Sequence, residues 1–213
     1  MSLNKATRRT LLGAGVAASI GATLPMAQAK KSYKANAEDA AYALGLEAYI
    51  YAYPLIYFAR FRSNAFVNGD PAMKTKARYG AWTIRNKPAT PDMIGGPQTD
   101  TLYGSVWLDL GAEPFIMQIP KTDGRYWSIQ MCDLFGETFG LPSRRAFKSA
   151  ETVAIVGPGW TGTLPAGITQ VYRSPMRQTW NVMRMFHDGS DADRERGYDF
   201  AKQFTLKPLS SFV

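Results

Sequence analysis

Four side chains are placed where they could do chemistry. Asp100 and Tyr103 fall in PQTDTLYGSVWLDL, residues 97–110, where a turn-rich loop runs into a strand, and Arg125 and Asp133 bracket RYWSIQMCD. A carboxylate at such a junction can act as an acid or base, or as an oxygen ligand to a hard cation. A tyrosine hydroxyl beside it can donate a hydrogen bond, and an arginine supplies a fixed positive partner. Loops held on a rigid sheet are where such groups concentrate. Along residues 125–133, strand alternation puts Trp127, Ile129 and Met131 on one face with Asp133, and Tyr126, Ser128, Gln130 and Cys132 on the other. An aspartate on an apolar face has to be paired, hydrogen-bonded or protonated. The competing and favoured reading is that the strand stops near Cys132 and Asp133 caps the next turn. These residues predict a small-molecule site at one end of a β-sandwich, around Asp100, Tyr103, Arg125 and Asp133. Asp100 is its principal residue, and Asp100 and Asp133 are the candidate oxygen ligands for a divalent cation. No organic cofactor motif accompanies them.

The rest of the sequence narrows the chemistry. With one cysteine, Cys132, and one histidine, His187, in 213 residues, the chain cannot form an intrachain disulfide, a Cys/His structural zinc site or a facial iron triad. G-x-S-x-G and H-E-x-x-H are absent. Gly157-Pro158-Gly159-Trp160-Thr161-Gly162 is literally G-x-G-x-x-G after a strand-like run. A dinucleotide site needs a helix to open at those glycines, and Leu164-Pro165-Ala166-Gly167 would break one, so the segment reads as a hairpin turn. His187-Asp188 reads as a turn ahead of Ser190, because adjacent side chains rarely face each other. Lys74, Lys76, Arg78, Arg85 and Lys87 could attract anions. They lie in a Gly/Pro-rich connector without helical period or nucleic-acid motif, and read as a solvated loop with no nucleic-acid partner.

Residues 1–29 read as a leader. Arg8-Arg9 within TRRTLL matches the twin-arginine export pattern, Gly13, Gly15 and Gly21 dilute the apolar run, and Ala27-Gln28-Ala29 offers cleavage between Ala29 and Lys30. The implied location is periplasmic or secreted, without a permanent membrane span. Losing the leader removes Lys5, Arg8 and Arg9 and no acid, so the formal charge falls from +8 to +5.

Residues 30–213 read as one domain. Asn36 starts a helical segment over 36–62 in which Tyr42, Leu46, Tyr49, Ile50 and Tyr53 share a face, and Pro54 should kink or restart it. Residues 63–98 read as a connector with one short strand near 81–84. Over 99–188, period-two runs at 103–110, 115–120, 125–134, 152–156, 161–164, 168–173 and 180–186 alternate with Gly/Pro turns. They predict an antiparallel sandwich. Ser190 with Asp193 forms a capping box for a helix over 190–204, weakened by Gly197.

YIYAYPL (49–55), TDTLYGSVWLDL (99–110), GRYWSIQMCDLF (124–135), VGPGWTGTLPAG (156–167) and YRSPMRQTWNVMRM (172–185) occur in this order. Together they resemble the bacterial exported proteins of domain of unknown function 1254, over nearly the whole mature chain. The resemblance implies a mainly β, immunoglobulin-like antiparallel sandwich, preceded by an amphipathic helical segment and followed by a C-terminal helix. Such proteins commonly continue into a jelly-roll domain, domain of unknown function 1214, so the implied partner is a C-terminal jelly-roll domain or a homo-oligomer. Asp100 to Tyr103 match the family pattern, while Gln98 stands where it usually has asparagine. The resemblance implies no activity. A second reading therefore stands beside the first: an interaction module, in which the four residues form a buried network and the tyrosine-rich helix or the sheet docks a second domain or subunit. A shared, solvent-reached pocket for Asp100 and Asp133 would favour binding of a small molecule; burial with backbone partners would favour docking.

Overall fold

The computed structural model describes residues 26–69, 75–90 and 98–212. The Arg8-Arg9 export motif lies outside the described residues, as does Lys74 of the basic stretch. A single helix, α1, runs from Met26 to Val67. It begins upstream of Asn36, because Ala, Gln, Lys and Met are good helix formers and let the helix propagate through MAQAKKSYKA. It also continues through Pro54 instead of restarting there. Proline has no N–H for the carbonyl of Ile50, so the ladder is weakest at that point. The chain divides into two compact units between Ile50 and Tyr51. The first unit contributes helix whose Tyr42, Leu44 and Leu46 are exposed.

The second unit is a β-sandwich with helical additions. In chain order its strands are β1 (Thr83–Ile84), β2 (Thr101–Asp109), β3 (Phe115–Ile119), β4 (Trp127–Cys132), β5 (Thr138–Gly140), β6 (Glu151–Val156), β7 (Gln170–Arg173), β8 (Gln178–Phe186) and β9 (Thr205–Pro208), with α2 (Asp191–Ala201) between the last two. One sheet has the order β1-β2-β8-β4-β5 and the other β7-β6-β3-β9. Alternation decides what each strand buries. On β2, Leu102, Gly104, Val106 and Leu108 face inward beside Met185, Met183, Asn181 and Thr179 of β8. Phe115, Met117 and Ile119 of β3 with Val153 and Ile155 of β6 close the core from the other sheet.

The connector is tied to this frame by backbone bonds from Ala77 to Ala65 and from Gly80 to Trp107. Gly80 has a φ of 73°, and a Cβ there would meet the Phe115 ring at 2.5 Å, so both conformation and space require glycine. The Gly157–Gly162 segment opens no helix, in keeping with the rejected dinucleotide site. It is not a hairpin turn either: β6 and β7 run parallel, so residues 157–169 form a crossover of about a dozen residues, the shortest such a pair allows. Thr161–Leu164, expected as a strand, is part of that crossover.

Candidate functional site

The outer face of the five-stranded sheet carries the residues that alternate with the core. Trp107 and Trp180 lie directly opposite each other, and the helical stretch after Tyr51 packs on them through Phe58 and Phe61, with ring centroids 5.1–6.5 Å apart. Tyr51 contacts Phe135, Phe66 contacts Tyr79, and Arg62 donates to Gln178, so this stretch crosses the sheet from one edge to the other. The inward residues recur as 51, 58, 62 and 66, a helical period. The outward residues recur too: Tyr53, Ile56, Tyr57, Arg60, Asn64 and Val67 lie at i, i+3, i+4, i+7, i+11 and i+14. Tyr53, Ile56, Tyr57 and Val67 are 47–60% exposed. The outward face is thus mainly apolar, with Arg60 and Asn64 between Tyr57 and Val67, and it faces solvent.

Further along the same sheet face the side chains turn polar. Tyr103, Arg184 and Ser128 stand in one cross-strand row, the Arg184 guanidinium 5.9 Å from the Tyr103 ring centroid. The Tyr103 hydroxyl accepts from the Gln98 backbone N–H, so Tyr103, the third residue of β2, ties down the loop before the strand.

Beyond this row lies the end of the sandwich where a site was expected. Arg125 is there, but it is committed. Its guanidinium makes two bonds to Asp193, at 2.6 and 2.7 Å, and a third to the Phe186 carbonyl at 2.8 Å. Both side chains are about nine-tenths buried. Asp193 also accepts from Arg196 and from the Asp188 backbone N–H. The Arg125 guanidinium holds the Asp193 carboxyl well below the usual carboxylate range, against the opposing effect of burial. This pair clamps α2 onto the ends of β4 and β8, where Gly197 of α2 lies beside Arg125. Ser190 caps α2 by accepting from the Asp193 N–H. Asp188 accepts from the Ser190 N–H and hydroxyl, which lowers its pKa and fixes the expected turn.

Asp100 is at this end and exposed, its side chain accepting from the Thr101 hydroxyl and its carbonyl from the His187 N–H. Asp133 is not at this end. It follows Cys132, which pairs with Trp180, whereas Asp100 lies beside His187. Most of β8 separates them, on the order of 20 Å at the usual rise per strand residue. They share no pocket and cannot ligate one cation. Asp133 is buried, with its Oδ1 accepting from the Phe135 and Glu137 N–H groups at 2.8 and 3.0 Å, which makes it the turn cap. Among the described residues no group of three or more His, Cys, Asp and Glu could hold a metal ion. Sequence reasoning missed Arg125's partner: Asp193 was visible only as a helix cap, since nothing local links it to a residue 68 positions away. Arg184 was missed because a lone arginine in a strand carries no motif.

A family model described as a protein of unknown function, DUF1254, matches residues 81–208. The chain belongs to the DUF1254 family. Among solved structures it is similar to the VPA0106 protein from Vibrio parahaemolyticus, with a TM-score of 0.62 and 25% identity over 78% of this chain and 37% of that one. A putative uncharacterised protein from Burkholderia cenocepacia matches at 14% identity and a TM-score of 0.36, over 55% of this chain and 32% of that one. The chain thus spans only about a third of the length of these solved proteins. No curated protein matches it. As for membranes, no helix among the described residues is long and apolar enough to cross one.

Proposed function

We propose that this DUF1254 domain is an interaction module whose helical face of Tyr53, Ile56, Tyr57 and Val67 docks a second β-rich domain. The carrying observation is that the helical segment is anchored through one apolar face and leaves a second, regularly spaced one exposed. Solitary exposed apolar residues need no explanation, but a stripe of them rich in tyrosine has the composition of an interface core. The occupant is argued from length: nearly two-thirds of the solved Vibrio relative lies beyond the part that this chain covers. A jelly-roll domain, the partner that the sequence resemblance implies, is the occupant proposed. The behaviour of Asp133, buried with backbone partners, supports docking over a small-molecule site built from Asp100 and Asp133 together.

Hydrogen exchange tests this. Mixing the chain with a separately produced jelly-roll domain from a longer family member should slow exchange along residues 53–67 and displace a hydrophobic dye. Replacing Ile56 and Tyr57 by serine should abolish both effects while leaving the sandwich folded. Unchanged exchange on mixing, together with no dye binding by the isolated chain, would reject the reading.

A further inference from the structure

A cleft of about 240 Å³ opens beside β1. Thr75, Lys76 and Arg78 of the connector, Trp82 and Thr83 around β1, and Tyr198 and Lys202 of α2 and its cap line it. Among the described residues that line this cleft, three are cations and none is a carboxylate. Lys76 and Arg78 have no acidic partner among the described residues. They flank Ala77, whose N–H is bonded to Ala65, and the Arg78 carbonyl accepts from Ala81, so their backbone is held in place. Lys202 sits 4.6 Å from the Tyr198 ring centroid and 2.7 Å from Asp199. That pair is exposed and spaced i,i+3, a kind worth little, so the ammonium can turn to a ligand at small cost. Trp82 lines the cleft, and its indole N–H is buried with no acceptor among the described residues.

We propose that this cleft binds a small, multiply charged oxyanion of the phosphate class, with Lys76, Arg78 and Lys202 supplying the charge. A site with three cations favours an anion bearing more than one charge, and tetrahedral oxygens can take bonds from an arginine fork, ammonium groups and hydroxyls together. Size sets the other limit. Pockets for drug-sized ligands run from about 300 Å³ upward, so this one suits phosphate, pyrophosphate or a small phosphate ester and excludes a whole nucleotide. The basic connector, which reads from sequence as a solvated loop, thereby acquires a role that only its fold against α2 reveals.

Calorimetric titration of the full chain with sodium pyrophosphate at low ionic strength tests the site. Saturable binding with one site per chain is expected, weakened at least about tenfold in R78Q and clearly in K76Q and K202Q, as loss of charge-assisted hydrogen bonds requires. K148Q removes one exposed positive charge outside the cleft and should bind as the wild type does. Thermal unfolding of the unliganded variants should match the wild type, which separates lost binding from lost fold. The proposal fails if wild type shows no saturable binding, or if K148Q weakens binding as much as R78Q, since the effect would then be general charge attraction. Malonate binding as tightly as pyrophosphate would overturn the assignment to phosphate.

Discussion

Among single residues, Asp133, Asp100 and Asp193 differ by what surrounds them. Asp133 accepts two backbone N–H bonds at the end of β4, Asp100 is exposed with a neighbouring hydroxyl, and Asp193 sits in a buried pair with Arg125. Asp193 should therefore dominate stability. Asp193→Asn leaves Arg125 buried with half of its fork unmatched, and breaking a buried pair in this way costs about 3 kcal/mol or more. The pH dependence has a definite sign. The folded-state pKa of Asp193 is depressed, so its contribution is present above the unfolded value of about 4 and is lost as pH falls through the folded one. Urea unfolding of wild type and Asp193→Asn should show a constant gap from pH 5 to 7 that narrows below about pH 4. A gap that stayed the same at pH 3 would mean that the pair is not what the substitution removes.

At the level of elements, much was readable because it is local. β2, β3, β4, β6 and β8 declare themselves by alternation, and Ser190 marks the start of α2 by its cap. What escaped was set by distant partners. β5 has three residues and β9 has four, too few to display a period, and each exists because β4 or β3 offers it an edge. The parallel pairing of β7 with β6 follows from where the 157–169 crossover returns, which no short window reports. The site was less legible than the sheet for the same reason: Arg125 and Asp193 are distant in sequence, and Lys202 joins Lys76 and Arg78 only through the packing of α2. Gly197 shows how local and tertiary demands meet in α2. A Cβ there would lie 3.5 Å from the nearest atom, on Arg125, which is ordinary contact. The cost of glycine inside a helix, about 1 kcal/mol relative to alanine, is thus not forced by crowding. Gly197→Ala should raise stability by roughly 0.5–1 kcal/mol in urea unfolding. Destabilisation would show that α2 sits closer to Arg125 than its contacts indicate.

For the whole molecule, the leader bears on where the protein works. We propose twin-arginine export with cleavage between Ala29 and Lys30, from Arg8-Arg9 and the Ala27-Gln28-Ala29 ending. The fold is compatible with completion before export. Its one cysteine, Cys132, is buried and its thiol is pushed up by burial, so no oxidising compartment is needed to finish the structure. Cleavage would take Met26 to Ala29 off α1, leaving a helix that starts at or after Lys30, with Asn36 available as its cap. Replacing Arg8 and Arg9 by lysine keeps the leader's charge and removes only the paired guanidinium groups, so it separates recognition of the motif from simple electrostatics. The wild-type chain should be recovered outside the cytoplasm with a mass corresponding to a Lys30 start, and the doubly substituted chain should accumulate in the cytoplasm at its full 213 residues. Processing of the substituted chain at the wild-type rate would sink the twin-arginine assignment. A cytoplasmic wild-type chain that keeps Met26–Ala29 would show that these residues belong permanently to α1.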